Sequence, residues 1–453
     1  MDVAKIDVAN AVPLPVRELV GQLASNGGDA WLVGGTVRDL LLGDAPRDYD
    51  VATTLRPDKV GAMLPAADLR DARFGTCRVT TGSGLVAITT LRADGPYRDQ
   101  RRPDAVQFVD DVAEDALRRD FTCNALYLDL RNGALIDPTG GLADLRARTL
   151  RAIGEPARRF AEDSLRLLRA VRFAARCGLR LHPDTQAAAV AAGPSLASLS
   201  PERTFAELTD AFTSRGRGAA LHLLVELGFA DVVLPEVAAM RGVTQPPQYH
   251  PEGDVLVHTA LVLDAVPQDD PVLAWCAVLH DVGKPPTWRL AEDRIRFDGH
   301  DTLSATMATA VLARFAASLD LRETVAEVCR EHIHFAALPD MRPARRERWL
   351  RSTRFPIHLA FHRADCLGSH GKLDLHDFAA REHAALPPVP VLLVTGADVL
   401  ALGVPAGPLV GKLLAKVHAV ADESPVPWDR AEALRWLHEL VQRTRQDGDL
   451  PAR

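Results

Sequence analysis

Residues 1 to about 150 alternate short apolar runs with turns. The runs AWLVGG, TCRVTTG, LVAITTL and NALYLDL are rich in β-branched residues and bounded by Gly, Asp or Arg, which predicts strands. PLPVRELVGQLAS and GTVRDLLLG instead space their apolar residues with helical period. From about residue 151 long Ala-, Leu- and Arg-rich segments take over. FAEDSLRLLRAVRFAARCG, TFAELTDAFTS and GAALHLLVELGFA each read as an amphipathic helix. The expected fold class is α+β, an N-terminal mixed sheet with helices followed by all-α regions.

Two Pro-rich breaks, QPPQYHPEG (245–253) and PPVPV (387–391), interrupt the helical part. They suggest regions 1–150, 151–244, 245–386 and 387–453. A chain of 453 residues is long enough for about three domains and more than one core. Hydrophobic residues at 47% and charged residues at 25% exclude a disordered chain or a disulfide-stapled scaffold. The six cysteines are scattered with no CxxC pair, as in a reduced protein with buried thiols. The start has no apolar core of signal type, and no stretch reaches the length of a membrane helix. The expectation is a cytoplasmic protein with no membrane partner.

A net charge of −7 excludes a basic field over the whole molecule, so a nucleic-acid partner requires a local basic surface. Residues 151–180 supply one, with eight arginines against three acidic residues. Arginine suits bidentate contact with phosphates and bases.

Three constellations carry candidate chemistry. In the first, Val33-Gly34-Gly35-Thr36-Val37-Arg38-Asp39 runs strand, glycine turn, helix. Such a turn lets a ligand approach the backbone, and Arg38 on the first helical turn is placed to grip a phosphate. Asp48 and Asp50, two apart in an expected strand, point to one face. Their mutual repulsion is relieved by a hard divalent cation, here Mg²⁺, and the pair beside a phosphate turn suits two-metal phosphoryl transfer.

VGGTVRDLLLGDAPRDYDVATTLRP (33–57) resembles the active-site signature of class II tRNA nucleotidyltransferases and bacterial poly(A) polymerases. The resemblance continues in order through ITTLR (88–92), YRDQRRPDAVQFV (97–109), RRDFTCNAL (118–126), DPTGGLADL (137–145) and EDSLRLLRAVRFAAR (162–176). It implies a nucleotidyltransferase-type head over 1–150 and a helical neck with RNA-binding surface over 151–244. One departure stands out: the family usually has a third carboxylate just before the TT of the ITT strand, where this chain has Ala87. That puts proton acceptance and second-metal affinity in question.

The second constellation is Glu162, Asp163, Arg166, Arg169, Arg172 and Arg176, spaced by three and four on one expected helix. The resemblance implies that Asp163 and Arg166 read the Watson–Crick edge of a base without a nucleic-acid template. Glu162 orients the arginine, and Arg169 and Arg172 face the triphosphate or the primer. It also implies that Arg119, Asp120 and Asn124 hold the ribose, through a hydrogen bond to its 2′-OH.

The third constellation is His258, His280-Asp281, His300, His332 and Asp365 in apolar helical surroundings. Imidazole and carboxylate together suit a transition metal or Mg²⁺. HDVGKP (280–285) and FDGHDTLSA (297–305) resemble the HD phosphohydrolase signature. The resemblance makes His258, His280, Asp281 and Asp365 the metal ligands and gives His300 and His332 to a second metal. It leaves Lys284 to neutralise a phosphate. TGADVLALGVPAGPLVGKLL (395–414) resembles the C-terminal segment that supports tRNA binding, or it is a helical hairpin closing a core.

The leading reading is CCA addition to tRNA 3′ ends from CTP and ATP, with an HD region (245–386) that hydrolyses phosphate esters or 2′,3′-cyclic phosphates. The segment at 97–109 resembles the flexible loop that A addition needs. Alternatives are an A-adding enzyme or poly(A) polymerase, and an HD phosphohydrolase whose head only binds RNA. A pure RNA-binding scaffold leaves two ligand sets unexplained. Oligomeric state is left open.

Overall fold

The computed structural model describes residues 11–95, 106–292, 294–387, 393–424 and 428–446. Two compact units emerge, one up to His383 and one from Ala384. The expected divisions at 150/151 and 244/245 fall inside the first.

The head is built on strands β1 (Ala30–Val33), β2 (Tyr49–Thr53), β3 (Thr76–Thr81), β4 (Gly84–Thr90), β5 (Arg92–Asp94), β6 (Val106–Phe108), β7 (Tyr127–Asp129) and β8 (Ala134–Ile136). Six of them form one sheet in the order β3-β4-β2-β1-β7-β8. Only β2 and β4 pair in parallel, so the sheet is mixed as expected. β5 and β6 pair separately, on either side of residues 96–105. Most of the YRDQRRPDAVQFV segment therefore lies outside the described residues. The apolar run AWLV is buried throughout because β1 sits mid-sheet between two layers of core. Helix α1 (Leu14–Ser25) covers one face with Val16, Leu19, Val20 and Leu23, and α2 (Gly35–Leu42) follows β1 directly.

The helices that matter for the sites are α3 (Pro156–Glu162), α4 (Leu165–Cys177), α5 (Pro201–Thr213), α6 (Val255–Ala265), α7 (Pro271–Leu279), α8 (His300–Arg314), α9 (Leu319–Glu331) and α10 (Phe355–Leu367). One continuous apolar core runs from Phe160 through α4, α5, α6 and α7 to Ala364. At its centre Trp275 of α7 stacks on Phe205 at 5.3 Å, meets Phe212 edge-on, and donates its indole N–H to Thr209. All three partners belong to α5, so α5 spans the seam between the neck and the histidine-bearing helices.

The second unit has helices over Gly396–Ala401, Pro408–Glu423 and Arg430–Gln446 around its own core of Val399, Leu413, Val417 and Leu437. Thr395 opens it with a capping box closed by Asp398.

Candidate functional site

The end of β1 forms one wall of the first site. Gly34 has φ +70, and a Cβ there would sit 3.4 Å from Arg119 Nη1 and 3.6 Å from Asp50 Oδ2. Glycine therefore allows both the turn and the close approach of two charged groups. The Thr36 hydroxyl donates to the Asp48 carbonyl and accepts the Asp50 N–H at 2.8 Å, so the helix after the turn fixes the backbone of the acidic pair. Asp48 lies in the bend before β2 rather than in the strand, which begins at Tyr49. Both carboxylates nevertheless line one cavity of about 930 Å³. Burial pushes the Asp50 carboxyl above the usual carboxylate range; Arg119 opposes this and Asp48 adds to it. A half-buried carboxylate disfavoured by its own neighbour fits a divalent cation. Ala87 on β4 stands directly beside Asp50, and Arg78 on β3 stands beside Ala87. The row that would carry a third carboxylate thus reads Asp50, Ala87, Arg78, with Arg78 paired to Asp71 at 2.5 Å.

Behind the acidic pair the charges form a buried chain. Arg38 is nearly wholly buried and donates to Asp39 at 2.7 and 3.0 Å and to Asn124 Oδ1 at 2.6 Å. Asn124 donates to Asp120, which takes Arg169 at 2.6 and 2.8 Å. Burial alone would raise the Asp120 carboxyl, but Arg169, with Asn124, outweighs it and holds the group well below its ordinary range. Arg119 is held by Asp115 and Tyr127, and Asp115 also takes Arg118. The expected phosphate grip at Arg38 is thus braced by Asp39 and Asn124 from within the fold. Gly34, Gly35, Arg38, Arg119, Asp120 and Asn124 all border the cavity.

The expected single helix from 162 to 176 is two helices. Glu162 ends α3, Asp163 is extended (φ −152, ψ 105), and α4 begins at Leu165. The reason is the Asp163 side chain, which accepts the Leu165 N–H at 3.1 Å and is drawn to Arg203 on α5. Glu162 does hold Arg166, at 2.7 Å, and Arg159 at 2.9 Å. Glu162 lies outside the cavity wall, whereas Asp163, Arg166, Arg169, Arg172 and Arg176 line it. Arg172 is paired with Glu207 of α5, and Arg176 with Asp39. The Phe173 ring carries the guanidinium groups of Arg38, Arg169 and Arg172 within 5.0 Å.

The second site is assembled by α6, α7, α8, α9 and α10. His258 Nε2 lies 3.1 Å from Asp365 Oδ1 and 3.2 Å from His280 Nε2; His280 Nε2 lies 3.0 Å from Asp281 Oδ2. Asp281 Oδ1 faces His300 and His332 Nε2 at 3.7 and 3.8 Å with no hydrogen-bond partner of its own. So the six predicted residues converge as two triads, His258–His280–Asp365 and Asp281–His300–His332. His280, His300 and His332 each place Nδ1 within 2.9 Å of the carbonyl three residues earlier. That hydrogen bond puts the proton on Nδ1 and leaves Nε2 as the donor atom. Burial lowers His300 and pushes His332 down to about 3, so both rings stay neutral. For His258 burial works the other way from its carboxylate partners; Asp365 and Glu252 prevail and raise it to about 9. Buried nitrogen and oxygen donors all aimed at one another fit bound divalent metal. Lys284, expected to neutralise a phosphate, borders the cavity of this second site, sits 2.7 Å from Asp281 and donates to Gln245. One helical turn separates it from Asp281, so the nearest anion takes its charge.

Several working residues were not found in the sequence. Thr36, Asp39, Asp115, Arg203, Glu207 and Glu252 act through partners that are mostly far away in the chain. Glu252 sits in the Pro-rich break and holds both His250 and His258 Nδ1, at 2.9 and 2.8 Å. A Glu six residues before His258 is the one available signal.

Residues 30–151 match the poly(A) polymerase head domain, 178–241 the probable RNA- and SrmB-binding site of polymerase A, and 254–400 the HD domain. Head and HD domains of these kinds generally use divalent metals such as Mg²⁺. The chain is 42% identical to the CCA-adding enzyme of Geobacillus stearothermophilus over 49% of its own length and 56% of that protein. It is equally similar to that of Geobacillus thermodenitrificans, over 49% and 54%. The match thus spans about half the length of these curated relatives. A solved structure of the Bacillus stearothermophilus CCA-adding enzyme in complex with CTP aligns with TM-score 0.67 and 28% identity, covering 96% of this chain and all of that one. The Thermotoga maritima CCA-adding enzyme complexed with tRNA shares the fold, with TM-score 0.55 and 17% identity over 97% and 99%. Among the described residues no helix is long and apolar enough to cross a membrane.

Proposed function

The chain belongs to the tRNA nucleotidyltransferase and poly(A) polymerase family that carries an HD domain, and from that premise we propose that it adds CCA to tRNA 3′ ends in the cytoplasm, using CTP and ATP. The observation that carries this reading is one arginine-walled cavity bordered by Asp48 and Asp50 on one side and Asp163 and Arg166 on another. Asp48 and Asp50 would hold Mg²⁺, which when bound neutralises the phosphate oxygens and favours the attacking hydroxyl. The terminal ribose 3′-oxygen forms a bond to the α-phosphorus, and the bond to pyrophosphate breaks. Gly34 and Gly35 admit the leaving phosphates to the backbone above Arg38. Arg119, Asp120 and Asn124 take the ribose. Asp163 and Arg166, the latter held by Glu162, read the base, and Arg169 and Arg172 face the triphosphate. Catalysis here is mostly placement and charge neutralisation.

The second centre would hold a divalent transition metal or Mg²⁺ on His258, His280, Asp281 and Asp365, and a second ion on Asp281, His300 and His332. Its reaction is hydrolysis of a phosphate ester or 2′,3′-cyclic phosphate, for which bound metal supplies an activated water. The adjoining cavity of about 570 Å³ has room for a nucleotide end.

The test is addition of labelled CTP and ATP to tRNA ending before CC and to tRNA ending in CC. Stepwise C, C and A supports CCA addition. A on the second substrate alone assigns an A-adding enzyme, and long A tracts a poly(A) polymerase. Ala87 beside Asp50 favours one further reading, an HD phosphohydrolase whose head only binds RNA. Nucleotide addition by the wild type that Asp50→Ala abolishes removes it.

A further inference from the structure

The helix α5 lies outside the active-site signature, yet it holds both ends of the base-reading face. At one end Arg203 Nη2 lies 3.0 Å from each oxygen of Asp163. At the other Glu207 takes Arg172 Nε at 2.5 Å and Nη2 at 3.4 Å. Arg203 and Glu207 are one helical turn apart, so a single face of α5 makes both clamps. Asp210 and Ser214 continue that face along the same cavity. The opposite face is locked onto Trp275, so the clamps stand on a packed core rather than a loop.

We propose that Arg203 is a specificity-determining positioning residue: it fixes the carboxylate with which Asp163 selects the incoming base. The inference rests on the nucleotidyltransferase reading of the cavity. A protein that chooses a nucleotide without a template must hold its acceptor and donor still, because discrimination depends on a hydrogen-bond pattern being met by one base and missed by another. Arg166 is fixed by Glu162 and by the Arg159 and Arg118 carbonyls, none of them on α5. Asp163 sits at a helix break, and besides the Leu165 N–H its side-chain orientation depends on Arg203. Glu207 acts at the phosphate end, so its loss weakens nucleotide binding and leaves the choice of base intact.

The geometry sets a particular expectation for rescue. One nitrogen of Arg203 serves both carboxylate oxygens, a point contact rather than a fork. A lysine ammonium reproduces a point contact. The full-length protein is tested on tRNA ending before CC and on tRNA ending in CC, with each of the four NTPs. The measured quantity is kcat/KM for correct over incorrect nucleotide. Arg203→Ala lowers this ratio roughly 10- to 100-fold while kcat for the correct nucleotide falls by less, and Arg203→Lys restores most of the ratio. Glu207→Gln raises KM for all four nucleotides by similar factors and leaves the ratio unchanged. If Arg203→Ala does not fold by circular dichroism, Arg203→Gln takes its place in the same comparison. Wild-type addition with undiminished discrimination in the Arg203 variants overturns the inference. Absence of addition by the wild type overturns the functional reading beneath it instead.

Discussion

Asp50 and Asp281 are the central acids of the two sites, and their surroundings push them in opposite directions. Asp50 is raised by burial and by Asp48, with Arg119 as the main opposition. Asp281 is buried more deeply, yet His280 and Lys284 outweigh burial and hold it well below the ordinary range. The difference lies in where the positive charge is committed. In the head, Arg119 is bound to Asp115, Arg169 to Asp120 and Arg172 to Glu207, so these guanidinium groups are committed to carboxylates other than Asp48 and Asp50. In the HD centre His280 and Lys284 lie against the acid itself, at 3.0 and 2.7 Å, and a metal held there by both buried triads would stay through purification.

The largest test of that contrast is Asp50→Ala. It should lower nucleotide addition roughly a thousandfold while the metal content of the purified protein, read by elemental analysis, stays unchanged. A parallel loss of bound metal would break the distinction. Next is Asp115→Asn, which leaves Arg118 and Arg119 without their buried counter-charge. The expected loss is about 3 kcal/mol of unfolding free energy by denaturant titration. Burial raises Asp115 but Arg119 and Arg118 depress it far more, so its folded value lies below the unfolded one. The stabilisation is then fully present above about pH 4 and lost as pH falls through the folded value. The deficit of the variant should stay constant from neutral pH to about pH 5 and shrink in stronger acid.

A smaller effect is expected of Glu252→Gln, which removes the carboxylate that sets the orientation of His258. Metal affinity, measured by competition with a chelator, should fall roughly 10- to 100-fold, with nucleotide addition untouched. The smallest is Ala87→Glu. A carboxylate beside Asp50 should lower the Mg²⁺ concentration for half-maximal addition about threefold, around 0.7 kcal/mol by the tenfold-per-1.4 rule. A change in the other direction would mean that Arg78 on the next strand captures the new acid.

Much of both sites could be read from the chain. The strands, the Gly34 turn, the acidic pair and the six residues that converge in the HD region were legible because each depends on local spacing or on a motif. The break at Asp163 was not. Periodicity from 162 to 176 is unbroken, and what takes the aspartate out of the helix is its bond to the Leu165 N–H together with Arg203, forty residues away. The pairing of Lys284 with Asp281 was not legible either: a motif gives the residue but not the anion beside it. Glu207 is invisible to spacing because it acts on a side chain presented by another element, and Glu252 offers only its place six residues before His258.

The double role of α5 bears on how this protein can be divided. A gene split at the Pro-rich break near residue 245 would look harmless on the sequence. It would strip Phe205, Phe212 and Thr209 from Trp275, uncovering one side of the indole, and leave the helix that holds Asp163 with no floor. Neither half would then be a natural free-standing product. The two sites are tied to common inheritance by one tryptophan's neighbours.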